Sequence, residues 1–281
     1  MRFSSKTGVI PSGGGACAPA GVGETRTVSA LGTSSDRGDR ATALPRSTRG
    51  ACGLLAAAAL ALVAGCNPEV RGNGVYLEQQ RDTGDFQGLD IKDGVAAYIT
   101  AGQALSVKVI GDANVVPNIA TEVFSDPEQV GTGTIRVLHI VPSIAFDPTI
   151  PPAVIITVPA LSYVRAEGAS PVQVKRAAAD LFTVRAMGSA QVTLVGAAGR
   201  SGDLLDAVLS KQTLLDATQY PTAGAYVELY DKATAKLHSN GPVTGFASGD
   251  SRLDNLLGTG DCTSVKVEGT ATRICNGTPT P

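Results

Sequence analysis

"VRAEGASPVQV" at residues 164–174 is followed by "VRAMGSAQVTL" at residues 184–194, so the chain writes one phrase twice at a displacement of 20 positions. Val164, Ala166, Val172 and Val174 stand in the first copy where Val184, Ala186, Val192 and Leu194 stand in the second. Apolar residues at alternate positions turn one face of a strand inward. Gly168 and Gly188 break both phrases at the same place, where a residue without a Cβ permits a corner. Such a unit cannot bury its inward face alone, but it can when stacked on a copy of itself. A period near 20 residues lies at the short end of solenoid and β-helix repeats. The alternative is a pair of similar β-hairpins. The shared Val, Ala and Gly positions build a core and a corner, and Glu167 faces Met187 where the copies differ. The echo is therefore read as a stacked coil rather than a duplicated active site, and the residues that differ carry no shared chemistry.

The rest of the chain carries the same texture. Its 281 residues are 43% hydrophobic, contain 33 Gly and 16 Pro, and have no Trp, a composition that favours an all-β core of small and branched side chains cut by turns. Alternation recurs in "FQGLDI" (86–91), "VAAYIT" (95–100), "LSVKVIG" (105–111), "TIRVLHIV" (134–141) and "AVIITV" (153–158). "NVVPNIATEVFSDPEQ" (114–129) could supply one turn of helix but contains Pro117 and Pro127, and reads mainly as loop with a strand over 120–124. The segments 238–246, 247–255 and 258–267 keep the repeat's pattern without its letters.

The order "GDFQGLDIKDGVAAYITAG" (84–102), "VKVIGDANVVPNIATEV" (107–123) and "PALSYVRAEGASPVQV" (159–174) resembles the auto-transporter adhesin head GIN domain family over roughly residues 72–267. The glycine corners "EGAS", "MGSA", "SNGP" and "SGDS" stand where members repeat Ser-Gly-Ser corners. The resemblance implies an all-β, right-handed β-helix-like solenoid of short strands, with the N-terminal strands as a cap or small β subdomain, on an envelope protein. It implies no catalytic residues.

A second signal predicts a place for the protein. In "STRGACGLLAAAALALVAGCNPEV" (47–70), Arg49 and the nearby Arg46 precede an apolar run over 53–63 that ends in Leu62-Val63-Ala64-Gly65-Cys66. The run is too short to span a bilayer as a mature helix but suits a signal peptide, and its end resembles the lipobox of bacterial lipoproteins. Cleavage between Gly65 and Cys66, with lipidation (palmitate) of Cys66, is expected. The long tract ahead of it suggests initiation near Val28 or Leu44. The expected organisation is residues 1–65 removed, 66–74 a lipidated tether, 75–160 an N-terminal β part and 161–281 the repetitive part. Asn67 is compatible with outer-membrane sorting.

After residue 65, 16 basic side chains remain against 22 acidic ones. This acidic balance without aromatic stacking clusters excludes nucleic acid as an expected partner. The membrane, through the lipid, and an unidentified surface glycan or protein are the expected partners. Cys262 and Cys275 remain as an even pair in an oxidising compartment and are predicted to form a disulfide.

No chemistry-bearing set stands out. Gly249-Asp250-Ser251-Arg252 looks like a lipase block, but no histidine follows it. His139 is read as a structural histidine beside apolar neighbours and His238 as solvated near an Asn-Gly turn. Neither has metal-ligand spacing, so no metal and no cofactor is expected. Asp250, Asp254 and Asp261 with Arg252 would have to share one edge of successive coils to hold a cation. The sequence thus predicts a lipid-anchored envelope protein acting as a binding or adhesion module, not an enzyme. A polysaccharide-active enzyme using the edge around Asp250 and Asp261, or a purely structural envelope component, are the alternatives.

Overall fold

The computed structural model describes residues 69–126 and 134–275, together with the backbone of 278–280. The lipobox and Cys66 lie outside these residues. The described chain is all-β apart from one short 3-10 turn, Val116–Asn118, built around Pro117. Its strands form a nine-stranded sheet, an eleven-stranded sheet and a two-stranded pair.

From Tyr163 onward, successive strands alternate between the two large sheets. Tyr163–Gly168 belongs to the nine-stranded sheet and Pro171–Ala177 to the eleven-stranded one; Leu181–Gly188 returns to the first and Gln191–Gly196 to the second. The alternation continues to Val265–Val267 and Thr272–Cys275, and each strand pairs in parallel with the next member of its own sheet. The repeated phrases are neighbours in this arrangement: Val164 sits beside Val184 and Ala166 beside Ala186, while Val172 lies beside Val192 and Val174 beside Leu194.

Strands on both sides of residue 160 share the sheets. Gly88–Ile91 pairs with Tyr163–Gly168, and Ala96–Ala101 with Pro171–Ala177, both in parallel. Antiparallel pairs lie at the N-terminal edges, where Ile119–Asp126 pairs with Ile135–Pro142 and Ser106–Asp112 lies between Tyr76–Arg81 and Ala153–Val158, and at the C-terminal end, where Thr272–Cys275 pairs with Thr278–Thr280. Within the expected tether, Val70–Arg71 pairs with Phe146–Asp147. The buried Asp112 carboxylate holds this corner by accepting bonds from the backbone N–H groups of Gly74, Thr149 and Ile150.

Alternation directs the core. Leu89, Val164, Val184, Ala207 and Val227 form one inward row, and Ala97, Val172, Val192, Leu215, Ala235 and Leu253 form a row in the other sheet. All belong to one buried apolar cluster, whose removal from water is the main favourable contribution to folding. Near the C-terminus, Cys262 and Cys275 are joined by a disulfide across Cα atoms 5.8 Å apart.

Candidate functional site

The residues between the inward apolar positions point outward, and on the nine-stranded sheet they carry charge. Glu122, His139, Asp90, Arg165 and Arg185 follow one another across five neighbouring strands, at the ~4.8 Å spacing of hydrogen-bonded strands. Neighbouring rows supply the partners. Arg185 forms a two-pronged bridge to the buried Asp206, with Nη1 3.1 Å from Oδ1 and Nη2 2.7 Å from Oδ2, a geometry that only a guanidinium provides. Glu167 lies 2.6 Å from Arg165 and 3.2 Å from Lys92.

Asp90 is the unusual member. It is 3% exposed; Oδ2 lies 3.1 Å from His139 Nδ1, and Oδ1 has no hydrogen-bond partner. Burial pushes its carboxyl above the usual range, against the pull of Lys92, Arg165 and His139. Burial acts in the same sense on Glu167, but the hydrogen bonds and charges of Lys92 and Arg165 outweigh it and hold that carboxyl low. Two acids on one face are thus driven apart by their surroundings. A concavity of about 270 Å³ opens beside them, lined by Tyr163, Arg165, Glu167, Arg185, Met187, Val208 and Ser210.

The opposed shifts give a pH test. The contribution of Asp90 to stability is full in acid and declines as pH rises through its raised pKa, because ionisation is disfavoured in the fold. Glu167 contributes in the opposite sense: its share is present above the ordinary carboxylate range and is lost as pH falls through its lowered pKa. In urea unfolding between about pH 4 and pH 7, the stability of Asp90→Asn relative to wild type should therefore climb with pH, whereas that of Glu167→Gln should fall. Parallel profiles for wild type and Asp90→Asn would mean that burial does not disfavour the Asp90 carboxylate.

The residues singled out in the sequence fare differently. Asp250, Asp254 and Asp261 are not brought together. Asp250 accepts from the Thr270 hydroxyl, Asp254 pairs with Arg252 at 2.8 Å, and Asp261 accepts from the Thr263 N–H and hydroxyl at 2.9 and 2.6 Å, bonds that lower its pKa. Among the described residues no group of three His, Cys, Asp or Glu is placed to hold a metal. Ser251 is buried, and both histidines are otherwise engaged. His139 is structural as expected, but it lies on the outer face, against Asp90 and edge-on to Phe124 at 5.0 Å. His238, expected to be solvated, is half-buried with Nδ1 3.1 Å from the carbonyl of Thr218, 20 residues earlier.

The echo itself holds more than its Val, Ala and Gly positions. Arg165 and Arg185 are shared by the two phrases, lie beside each other in register and each meets a carboxylate. The repeat therefore carries charge chemistry as well as core and corner. Asp90, Glu167 and Asp206 were not legible as their partners.

Stacked parallel strands presenting a charged, concave outer wall define a class of all-β module. Residues 85–256 match the family model described as "Putative auto-transporter adhesin, head GIN domain"; the chain belongs to this family. The crystal structure of a "putative adhesin" from Bacteroides fragilis superposes with a TM-score of 0.51 at 12% identity, covering 73% of this chain and 98% of that one. That of a "putative lipid binding protein" from Parabacteroides distasonis gives 0.47 at 14% identity over 74% and 100%, and that of a "putative adhesin" from Parabacteroides merdae gives 0.42 at 14% over 73% and 98%. At these identities the likeness concerns the fold alone. Comparison with curated proteins gives no match.

Proposed function

We propose that the protein is a lipid-anchored component of the bacterial cell envelope, at the outer membrane, whose two sheets are the walls of a right-handed β-solenoid acting as an adhesin-like binding module. The observation that carries the binding role is the family match over residues 85–256. The solenoid reading is supported by the alternation of strands between two sheets and by their parallel, in-register stacking. The anchor rests on Leu62–Cys66 after an apolar run: one acyl chain binds membranes only marginally, so stable anchoring needs the multiple chains that lipoprotein processing supplies.

Labelling cells with radioactive palmitate tests the anchor. The full chain should take up label and fractionate with membranes, and Cys66→Ala should abolish both. A wild-type protein that stays unlabelled and soluble defeats the anchor while leaving the fold untouched. Protease added to whole cells then reads the orientation, since a surface-displayed domain is removed and an inward-facing one survives.

A further inference from the structure

A second concavity, of about 550 Å³, lies at the turns that lead from the eleven-stranded sheet back to the nine-stranded one. Two arginines line it, Arg176 and Arg200, and no Asp or Glu does. On the outer wall Arg165 and Arg185 are each answered by a carboxylate. The side chains of Arg176 and Arg200, by contrast, make no ion pair or hydrogen bond among the described residues. Gln87 and Ser162 add two neutral polar groups, and the lining is otherwise small and apolar, including the buried Ala101 and Leu161.

The backbone that presents Arg176 is itself unusual. Its φ is +60°, in the left-handed region that a Cβ disfavours and that glycine adopts freely. The pairing of its strand with Gln191–Gly196 slips between Val174 and Ala177. Such a bulge bends a strand and re-aims a side chain. The guanidinium it delivers lies over Gly102, where an added Cβ would be 3.7 Å from Nη2. An arginine thus occupies a position whose conformation suits glycine, and its charge enters a cavity that contains no counter-charge.

We propose that this cavity binds a sugar-sized ligand bearing an oxyanion, a phosphate or a carboxylate, gripped by Arg176 and Arg200. Guanidiniums match both groups with paired N–H donors. The volume falls in the range of small-molecule sites and exceeds what a bare oxyanion fills, so the apolar lining is left for the body of the ligand. The assignment is independent of the lipid anchor and of which partner the adhesin-like wall meets.

Calorimetric titration and thermal denaturation of the purified full chain test it, with glucose 6-phosphate and glucuronate as probes and glucose and inorganic phosphate as comparisons. The two sugar acids should bind saturably and raise Tm, and glucose should do neither. Arg200→Gln should weaken binding about tenfold or more, as expected for a lost charged hydrogen bond. Arg176→Gly should do the same while raising Tm in the absence of ligand, because the left-handed position is relieved. This combination separates a binding arginine from a structural one, whose loss would lower Tm. Absence of saturable binding by either sugar acid, undiminished binding in both variants, or a lower Tm for ligand-free Arg176→Gly would overturn the proposal. Inorganic phosphate binding as tightly as glucose 6-phosphate would overturn the claim that the ligand's body is recognised.

Discussion

Phe182→Ala is expected to lower the unfolding free energy by about 3–5 kcal/mol, the range for deleting a buried aromatic ring. Phe182 is fully buried and lies beside Leu205 of the next strand in its sheet. Its ring meets that of Tyr220 edge-on, with centroids 5.8 Å apart. Collapse into the vacated space is what would reduce the loss, and Tyr220 is poorly placed to move. Its hydroxyl donates to the Ala179 carbonyl at 2.8 Å, and burial, with Asp180 and Asp203 nearby, pushes its pKa to about 12. Gly202 lies against the same hydroxyl, for a Cβ there would come within 2.3 Å of Tyr220 Oη. The strands on either side are locked by parallel pairing. Equilibrium denaturant unfolding reads the effect as a lower midpoint at unchanged slope. A loss below about 1 kcal/mol would mean that the neighbours close the cavity and that the Tyr220 contacts do not hold them apart.

Why the two phrases were legible while their continuation was not follows from the register. Val184 lies beside Val164, 20 residues on, but its next neighbour is Ala207, followed by Val227, Gly245 and Val265. The circuits therefore run 20, 23, 20, 18 and 20 residues. The inward residue also shrinks to glycine at position 245, so neither a fixed period nor a fixed letter survives. On the other side, Val164 neighbours Leu89, with the antiparallel strands of the N-terminal part between them in sequence. Strands were recognisable there one by one, but their neighbours were not.

The same geometry bears on the acidic alternative. Asp250, Asp254 and Asp261 are close in sequence and would have had to share an edge to hold a cation, yet a few residues along this chain carry a side chain around a corner or to another sheet. Some side chains that meet are two residues apart on one strand, as Arg165 and Glu167 are, but others are separated by a whole circuit, as Arg185 and Asp206 are, or by the strands between them in the N-terminal part, as Asp90 and His139 are. Arg165 and Arg185 showed the right separation. Taken singly, each is an outward position on an alternating strand, which ordinarily means a solvated charge.

Gly188→Ala is expected to cost about 2–3 kcal/mol, from a left-handed backbone and a close approach acting together. One corner of every circuit is turned by a residue with positive φ: Asp93, Gly168, Gly188, Lys211, Asp231, Gly249 and Gly269. From Gly188 onward, the residue after each corner donates its N–H to the carbonyl of the preceding corner, Ser189 to Gly168 and Gln212 to Gly188 at 2.8 Å, Lys232 to Lys211 at 2.9 Å. The corners therefore stack as a ladder, and a change at one rung is felt at the next. Gly188 has φ +91°, outside the narrow left-handed well that side chains tolerate, and its Cβ would lie 2.9 Å from the Gly168 oxygen. Lys211 turns the same corner one circuit later at φ +64°, inside that well, so it carries a side chain at a cost of roughly 1–2 kcal/mol. Lys211→Gly should consequently stabilise, by no more than about 1 kcal/mol, because glycine's greater freedom in the unfolded chain returns part of the gain. Opposite signs at adjacent rungs in thermal and urea unfolding are the expected result. If Gly188→Ala were tolerated as readily as Lys211→Gly, positive φ alone would be what the corner demands. A large loss at Gly188 would show that the ladder also needs one rung bare, so that it can settle against Gly168.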